Sequence, residues 1–284
     1  MKLIKGSDTV ERLSLEIEEE KKNLNGLVPG AAIVRVGNKQ DDIAYERGAI
    51  KTLNKYGVKC HTYAFPEDIT HEEFMAEFKA INESAHIHGI LLLRPLPSQI
   101  NSTEIEYTIN PLKDIDGISP LNIGKIFNED KSGFAPCTAE AAMEMLKTLD
   151  VDLCGKKVVI VGAGMVVGRP LSLLMLSANA TVTVCNVFTK SLVSYTKNAE
   201  VLVVATGVRN LIKAEHVAPG SIIIDVGINV DENGKLCGDV KFDEVSEIVE
   251  AITPVPGGVG VVTTCILARN VYKAARMLKN TGSV

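Results

Sequence analysis

With 284 residues, 46% hydrophobic and 23% charged, the chain has apolar mass for one large core or two ordinary ones, which excludes disordered and fibrous classes. The formal net charge is -5 and the Lys and Arg residues are scattered, so no basic stripe exists to neutralise a nucleic-acid backbone or dock on a membrane. Small-molecule partners are expected. No run approaches the roughly 20 apolar residues of a membrane helix, and the start turns polar before a signal-peptide core can form, so a cytoplasmic location is expected.

In chain order, Asp8 with Glu11 reads as a capping box ahead of the helical stripe Val10, Leu13, Ile17. Residues 31–36 read as a buried strand, 42–56 as a helix stopped by Gly57, and 59–64 as a strand. Thr70 with Glu73 caps the next helix, and residues 89–93 form another apolar strand. This βαβαβ rhythm, with continuous rather than alternating apolar strands, predicts an α/β fold with a parallel sheet covered by helices on both faces. Between Arg94 and Pro136 the periodicity fails; a stretch so rich in turn residues predicts a functional loop. Thr138 then caps a helix to about Leu149, and a second α/β series follows with strands KVVIV, ATVTVC, EVLVVA and SIIIDVG. The expected organisation is an N-terminal domain over 1–147, a Rossmann-like domain over 148–262, and a C-terminal helix at about 263–284 that packs back on the first domain.

The strongest local signal is KVVIVGAGMVVGRP, where Gly162, Gly164 and Gly168 follow a strand and open a helix with spacing GxGxxxG. Glycines there let the backbone turn tightly and approach a pyrophosphate, which helix N-terminal N–H groups can meet, so a dinucleotide site is expected. The six cysteines lie far apart with no CxxC pair, and the five histidines show no ligand spacing. No disulfide framework and no metal site are expected; the cysteines read as small buried hydrophobes and the histidines as surface or strand-edge residues.

Several segments now point the same way: PLP (Pro95, Leu96, Pro97), KDIDG ending at Gly117, PCT at residues 136–138, VGRP, DVGIN at 225–229 and PVPGGVG at 254–260. In order and spacing the chain resembles the methylenetetrahydrofolate dehydrogenase/cyclohydrolase family, commonly called FolD, over nearly its whole length. The resemblance implies a homodimer of two-domain subunits, a tetrahydrofolate derivative bound in the cleft between domains, and a nicotinamide cofactor on the C-terminal domain. It assigns Tyr45 to stack on the folate and Asp116 to anchor the pterin edge; these are the catalytic-site residues, with Pro95, Leu96, Pro97, Pro256, Gly257 and Gly258 also at the substrate. Cofactor contacts are implied for Gly162, Ala163, Gly164, Val166, Val167, Gly168, Asn186, Val187, Thr206, Gly207 and Ile228.

The departures bear on activity. The family helix carries SxxYxxxK; here the serine position is Asp42 and the lysine position is Ala49, while Lys51 lies about 200° around the helix from it. The family strand reads GILVQLPLP, and Leu93 stands at its glutamine, followed by Arg94. Oxidation of the methylene group needs only hydride transfer in near-attack geometry, whereas methenyl hydrolysis needs general acid/base help. The residues therefore predict a dehydrogenase with cyclohydrolase activity lost or weak. Two alternatives stand beside it: a bifunctional enzyme using Arg94, Lys51 or a carboxylate-bound water, and a non-catalytic folate- and nucleotide-binding protein. No charge of either sign occupies Cys185, Asn186 and Val187, where a 2′-phosphate would need a cation, so NAD is expected over NADP, with Lys190 and Arg169 as the cations that would have to reach in for NADP. EVLVVA and ATVTVC suit either a dimer-edge or a central strand. Val261 and Val262 replace the family's proline and methionine without evident cause.

Overall fold

The computed structural model describes residues 1–281. The first half of the chain runs β1 (Lys2–Leu3), α1 (Gly6–Asn23), β2 (Gly30–Val36), α2 (Gln40–Lys55), β3 (Lys59–Phe65), α3 (His71–Glu83), β4 (Gly89–Leu92), α4 (Ser102–Thr108), α5 (Pro120–Phe127) and α6 (Cys137–Thr148). It continues through β5 (Lys157–Val161), α7 (Gly168–Ser177), β6 (Thr181–Cys185), α8 (Leu192–Thr196), β7 (Val201–Val204), β8 (Ile222–Asp225), β9 (Asn229–Val230), β10 (Leu236–Cys237), α9 (Phe242–Ser246), β11 (Ala251–Ile252) and α10 (Val259–Asn280). Two units result: one of Leu13–Cys137 with the chain from Thr264 onward, the other of Met1–Arg12 with Thr138–Thr263.

The first unit is built on a parallel three-stranded sheet in the order β3-β2-β4, with Ile33 of β2 opposite Thr62 and Leu91. Central β2 is buried along all seven residues, which is why its sequence is apolar apart from Arg35, whereas edge strand β3 is only partly buried. Helices α2 and α3 supply the crossovers. Thr70 and Glu73 cap α3 reciprocally, and Phe74 and Phe78 of α3 are fully buried, each worth about 2–3 kcal/mol of apolar burial. Gly57 ends the α2 segment at φ +82°, a conformation that suits glycine.

The second unit carries a parallel six-stranded sheet in the order β1-β11-β8-β7-β5-β6, flanked by a small β9–β10 hairpin. Here the structure corrects several expectations. Helix α1 begins at Gly6, so Asp8 sits inside its first turn instead of capping it, accepting a bond from Ser7 Oγ. Gly6 is needed there because its N–H donates to Gly257 O at 2.9 Å and a Cβ would overlap the Gly258 carbonyl and the Val261 side chain. Strand β1, too short to read in the sequence, pairs with β11 and draws the N-terminus into this sheet. The dividing point falls at residue 138 instead of 147/148, since Arg12 pairs with the buried carboxylate of Glu144 and Thr9 Oγ1 donates to Thr148 Oγ1 at 3.0 Å. Helix α6 starts at Cys137, leaving Thr138 within it.

Within the first unit, the stretch from Arg94 to Pro136 is not a single irregular loop. It contains α4 and α5, capped by Asn101 and Ser119; at seven and eight residues they are too short to show periodicity. His88 is buried, with Nδ1 accepting from Gly30 N at 3.0 Å, instead of lying at a surface. Of the cysteines, Cys137, Cys185 and Cys265 are buried but Cys154 is exposed. Among the described residues no helix is long and apolar enough to cross a membrane, and no group of three His, Cys, Asp or Glu side chains can hold a metal.

Candidate functional site

In the first unit the site grows from the KDIDG turn. Its two aspartates do different things. Asp114 is fully buried and accepts from Ile118 N, Ser119 N and Asn122 Nδ2 at 2.9, 2.8 and 2.8 Å, so it makes the turn. Lys113 anchors the segment by donating to Asn82 O and Ser84 O at 2.7 and 2.8 Å, and burial lowers its pKa. Asp116 instead faces Cys137, its Oδ1 accepting from Cys137 N at 3.1 Å and the Cys137 side chain bonding it as well. Burial raises its pKa, opposed by that N–H bond and by the Arg94 charge. Gly117 follows at φ +60°, where a Cβ would strike the Phe134 carbonyl and residues 135–136.

Tyr45 lies on α2 with 37% of its surface exposed, a ring half covered and half available. Desolvation raises its hydroxyl pKa well above the ordinary value, and Asp116 and Cys137 raise it further through their charge. Asp116 and Cys137 are joined by a hydrogen bond and their charges act on Tyr45; Cys137, whose Sγ also donates to Ile115 O at 3.2 Å, carries no motif signal as a site residue in the sequence. Ala49, one turn along α2, is fully buried, and Leu93 is 7% exposed, so neither presents a polar group. Arg94 pairs with Glu106 at 3.3 Å, and Lys51 is exposed on α2. Pro95 is exposed, with Leu96 and Pro97 half-buried beyond it.

In the second unit the glycine loop joins β5 to α7. Gly162 has φ +114° and a Cβ there would land on the Ala205 carbonyl, while a Cβ at Gly168 would land on the Gly162 carbonyl. Gly164 faces open space. The outer glycines are therefore required by backbone packing and the middle one leaves room for a ligand, a cradle that fits a dinucleotide pyrophosphate. Ala163 O accepts from Arg169 Nε at 3.1 Å, Val166 is exposed, and Val167 precedes α7 without a side-chain cap. At the end of β6, Asn186 closes a small turn, its N–H donating to Thr189 Oγ1 and its Oδ1 accepting from Phe188 N, both at 2.9 Å. Val187 beside it is 91% exposed.

Thr206 and Gly207 follow β7 and are held by Asp239, a fully buried carboxylate invisible to motif reading. Its Oδ2 accepts from Thr206 N, Thr206 Oγ1 and Gly207 N at 2.6, 2.9 and 3.0 Å, and Oδ1 accepts from Asn229 Nδ2 at 2.8 Å. Asp225, whose pKa burial pushes up to about 6, accepts from Gly227 N, Asp239 N and Val240 N. These two carboxylates fix the loops around exposed Ile228. Pro256 and Gly257 are exposed, and Gly258 is buried against the Pro254 carbonyl.

The fold and these loops define a two-unit α/β protein with a dinucleotide-binding cradle on its larger sheet. Residues 4–116 match the model of the tetrahydrofolate dehydrogenase/cyclohydrolase catalytic domain, and residues 136–279 that of the NAD(P)-binding domain of the same proteins. The chain is 48% identical over 280 residues to the bifunctional protein FolD of Alkaliphilus metalliredigens, covering 98% of this chain and 99% of the relative. The FolD crystal structure from Campylobacter jejuni superposes with a TM-score of 0.94 at 39% identity, over 99% of each chain. That of the Trypanosoma brucei enzyme with NADP and an inhibitor gives 0.88 at 31%, over 96% of this chain and 95% of the other. The chain belongs to the tetrahydrofolate dehydrogenase/cyclohydrolase family.

Proposed function

We propose that the protein oxidises 5,10-methylenetetrahydrofolate to the methenyl form. The observation that supports this most directly is a partly exposed Tyr45 under the charge of Asp116, a carboxyl group held by Cys137. The Tyr45 ring gives the flat folate a platform, and the Asp116 carboxylate accepts bonds from the pterin N–H edge. Pro95, Leu96 and Pro97 of the same unit border this substrate. Gly162, Ala163, Gly164, Val166, Val167 and Gly168 would hold the dinucleotide, with Asn186, Val187, Thr206, Gly207 and Ile228 at its other groups. When bound, the nicotinamide supplies the hydride acceptor. No protein acid or base is needed for this step, because the folate nitrogens carry the positive charge that develops.

For the second step the relatives favour a bifunctional enzyme. Proteins 45–49% identical to this chain bear the name bifunctional protein FolD, and they give no support to the expectation that hydrolysis is lost. The reading adopted is therefore dehydrogenase and cyclohydrolase, with the proton handled by a group other than residue 49. Lys51, exposed on α2, and Arg94, paired with Glu106, are cations on the neighbouring segments, and of the two only an amine can cycle its proton near neutral pH.

NAD is the proposed cofactor. The turn after β6 is closed by Asn186 and Thr189 and exposes Val187 and Phe188, uncharged residues where a 2′-phosphate would need a cation. Arg169 is engaged through Nε at Ala163 O. A kcat/KM ratio at least tenfold in favour of NAD is expected; a tenfold preference for NADP would overturn the assignment.

The working form is proposed to be a homodimer in the cytoplasm. Strand β6 is the outermost strand of the six-stranded sheet, with Val184 39% exposed, and an unpaired edge of that kind suits pairing across a two-fold axis. Light scattering should give twice the chain mass at micromolar concentration, and a monomer mass would contradict this.

A further inference from the structure

Strand β2 is buried along its whole length, yet it carries Arg35, only 8% exposed. A guanidinium in such a place is tolerated only with partners for its charge and its donors. Glu46 of α2, equally buried, supplies the charge: Arg35 Nε donates to Glu46 Oε2 at 2.8 Å. Nη1 reaches the loop between the two elements, donating to the Gly37 carbonyl and to Asn38 Oδ1, the latter 2.9 Å away. Helix α2 begins at Gln40 and its N-cap residue Lys39 makes no side-chain cap, so one guanidinium ties the strand, the entry loop and the second turn of the helix together.

Glu46 is the residue after Tyr45. The two lie about 100° apart around the helix, so any rotation or slide of α2 that displaces the Glu46 carboxylate displaces the Tyr45 ring as well. Apolar residues at 35 and 46 would bury as well or better, but apolar packing is not directional and leaves the helix free to turn by small angles. A planar guanidinium with Nε on Glu46 Oε2 and Nη1 on the Gly37 carbonyl and Asn38 Oδ1 makes directional bonds that resist such turning. We propose that the buried Arg35–Glu46 pair is a positioning device that sets the Tyr45 ring against Asp116, and so sets how tightly folate is held. This rests on the reading of Tyr45 as the folate platform.

The test uses the full-length enzyme with E46Q, Y45A, the E46Q/Y45A double variant, and R35M/E46L, which replaces the pair by apolar side chains. E46Q should raise KM for methylenetetrahydrofolate roughly tenfold to hundredfold, as misplacement of a binding group does, with KM for NAD unchanged. Y45A should do the same, and the double variant should be no worse than Y45A alone, because both changes remove one interaction. R35M/E46L should keep the wild-type Tm and still show the raised folate KM. Additive effects of E46Q and Y45A, or R35M/E46L at wild-type KM, would overturn the positioning role. Y45A at wild-type folate KM would instead overturn the Tyr45 reading itself, and the proposal with it.

Discussion

Asp116→Asn should abolish most folate turnover while leaving the protein folded and its affinity for NAD intact. The substitution removes the charge and turns one acceptor into an amide that faces the pterin's own donors. A hydrogen bond to a charged group is worth about 1.5–3 kcal/mol, so losing two amounts to a fall of roughly 10² to 10⁴ in kcat/KM for methylenetetrahydrofolate. Within the fold this side chain bonds Cys137, through its N–H and its side chain, and an amide oxygen still accepts from both, so Tm should change little. The pH dependence has a definite sign. Burial raises the Asp116 pKa and the Arg94 charge opposes that rise, so kcat/KM should decline as pH falls through the raised value. Arg94→Leu removes the opposing charge and should move this acid limb to higher pH. A pH profile that R94L leaves in place would show that the carboxylate does not govern folate binding.

The glycine loop should separate into packing and binding positions. Gly168→Ala places a methyl group on the Gly162 carbonyl, a backbone atom that cannot step aside, and should cost about 2 kcal/mol or more, read as a lower Tm without any ligand. Gly164→Ala meets nothing within 4 Å, so the fold should be unaffected while NAD affinity falls about tenfold, because the methyl occupies the path of the pyrophosphate. Equal thermal stability for both variants would contradict this division, as would unchanged NAD binding in G164A.

What the sequence makes legible follows from range. The buried strands read correctly because central parallel strands are apolar on both faces, as in β2 and β5. The glycine loop reads correctly because its constraint is local: three glycines between one strand and one helix. Short elements leave too little pattern, which hid α4, α5 and the two-residue β1 that carries the N-terminus into the six-stranded sheet. KDIDG holds two aspartates of identical chemistry, and only the hydrogen bonds show that Asp114 builds the turn while Asp116 faces Cys137. Likewise Asp239 and the Arg35–Glu46 pair act across 33 and 11 residues of chain, where no periodicity links the partners. Ala49 and Leu93 were legible as substitutions, yet a missing side chain cannot say whether another group has taken over its task.

One preparation of the enzyme, given methylenetetrahydrofolate and NAD and followed simultaneously for NADH and for methenyltetrahydrofolate, tests the central claim most directly. A bifunctional enzyme should form NADH steadily while the methenyl intermediate stays at a low level and formyltetrahydrofolate appears at the rate of NADH. Methenyltetrahydrofolate accumulating one for one with NADH, and declining no faster than in buffer, would show that Ala49 and Leu93 have removed the second activity; no NADH at all would contradict the dehydrogenase itself.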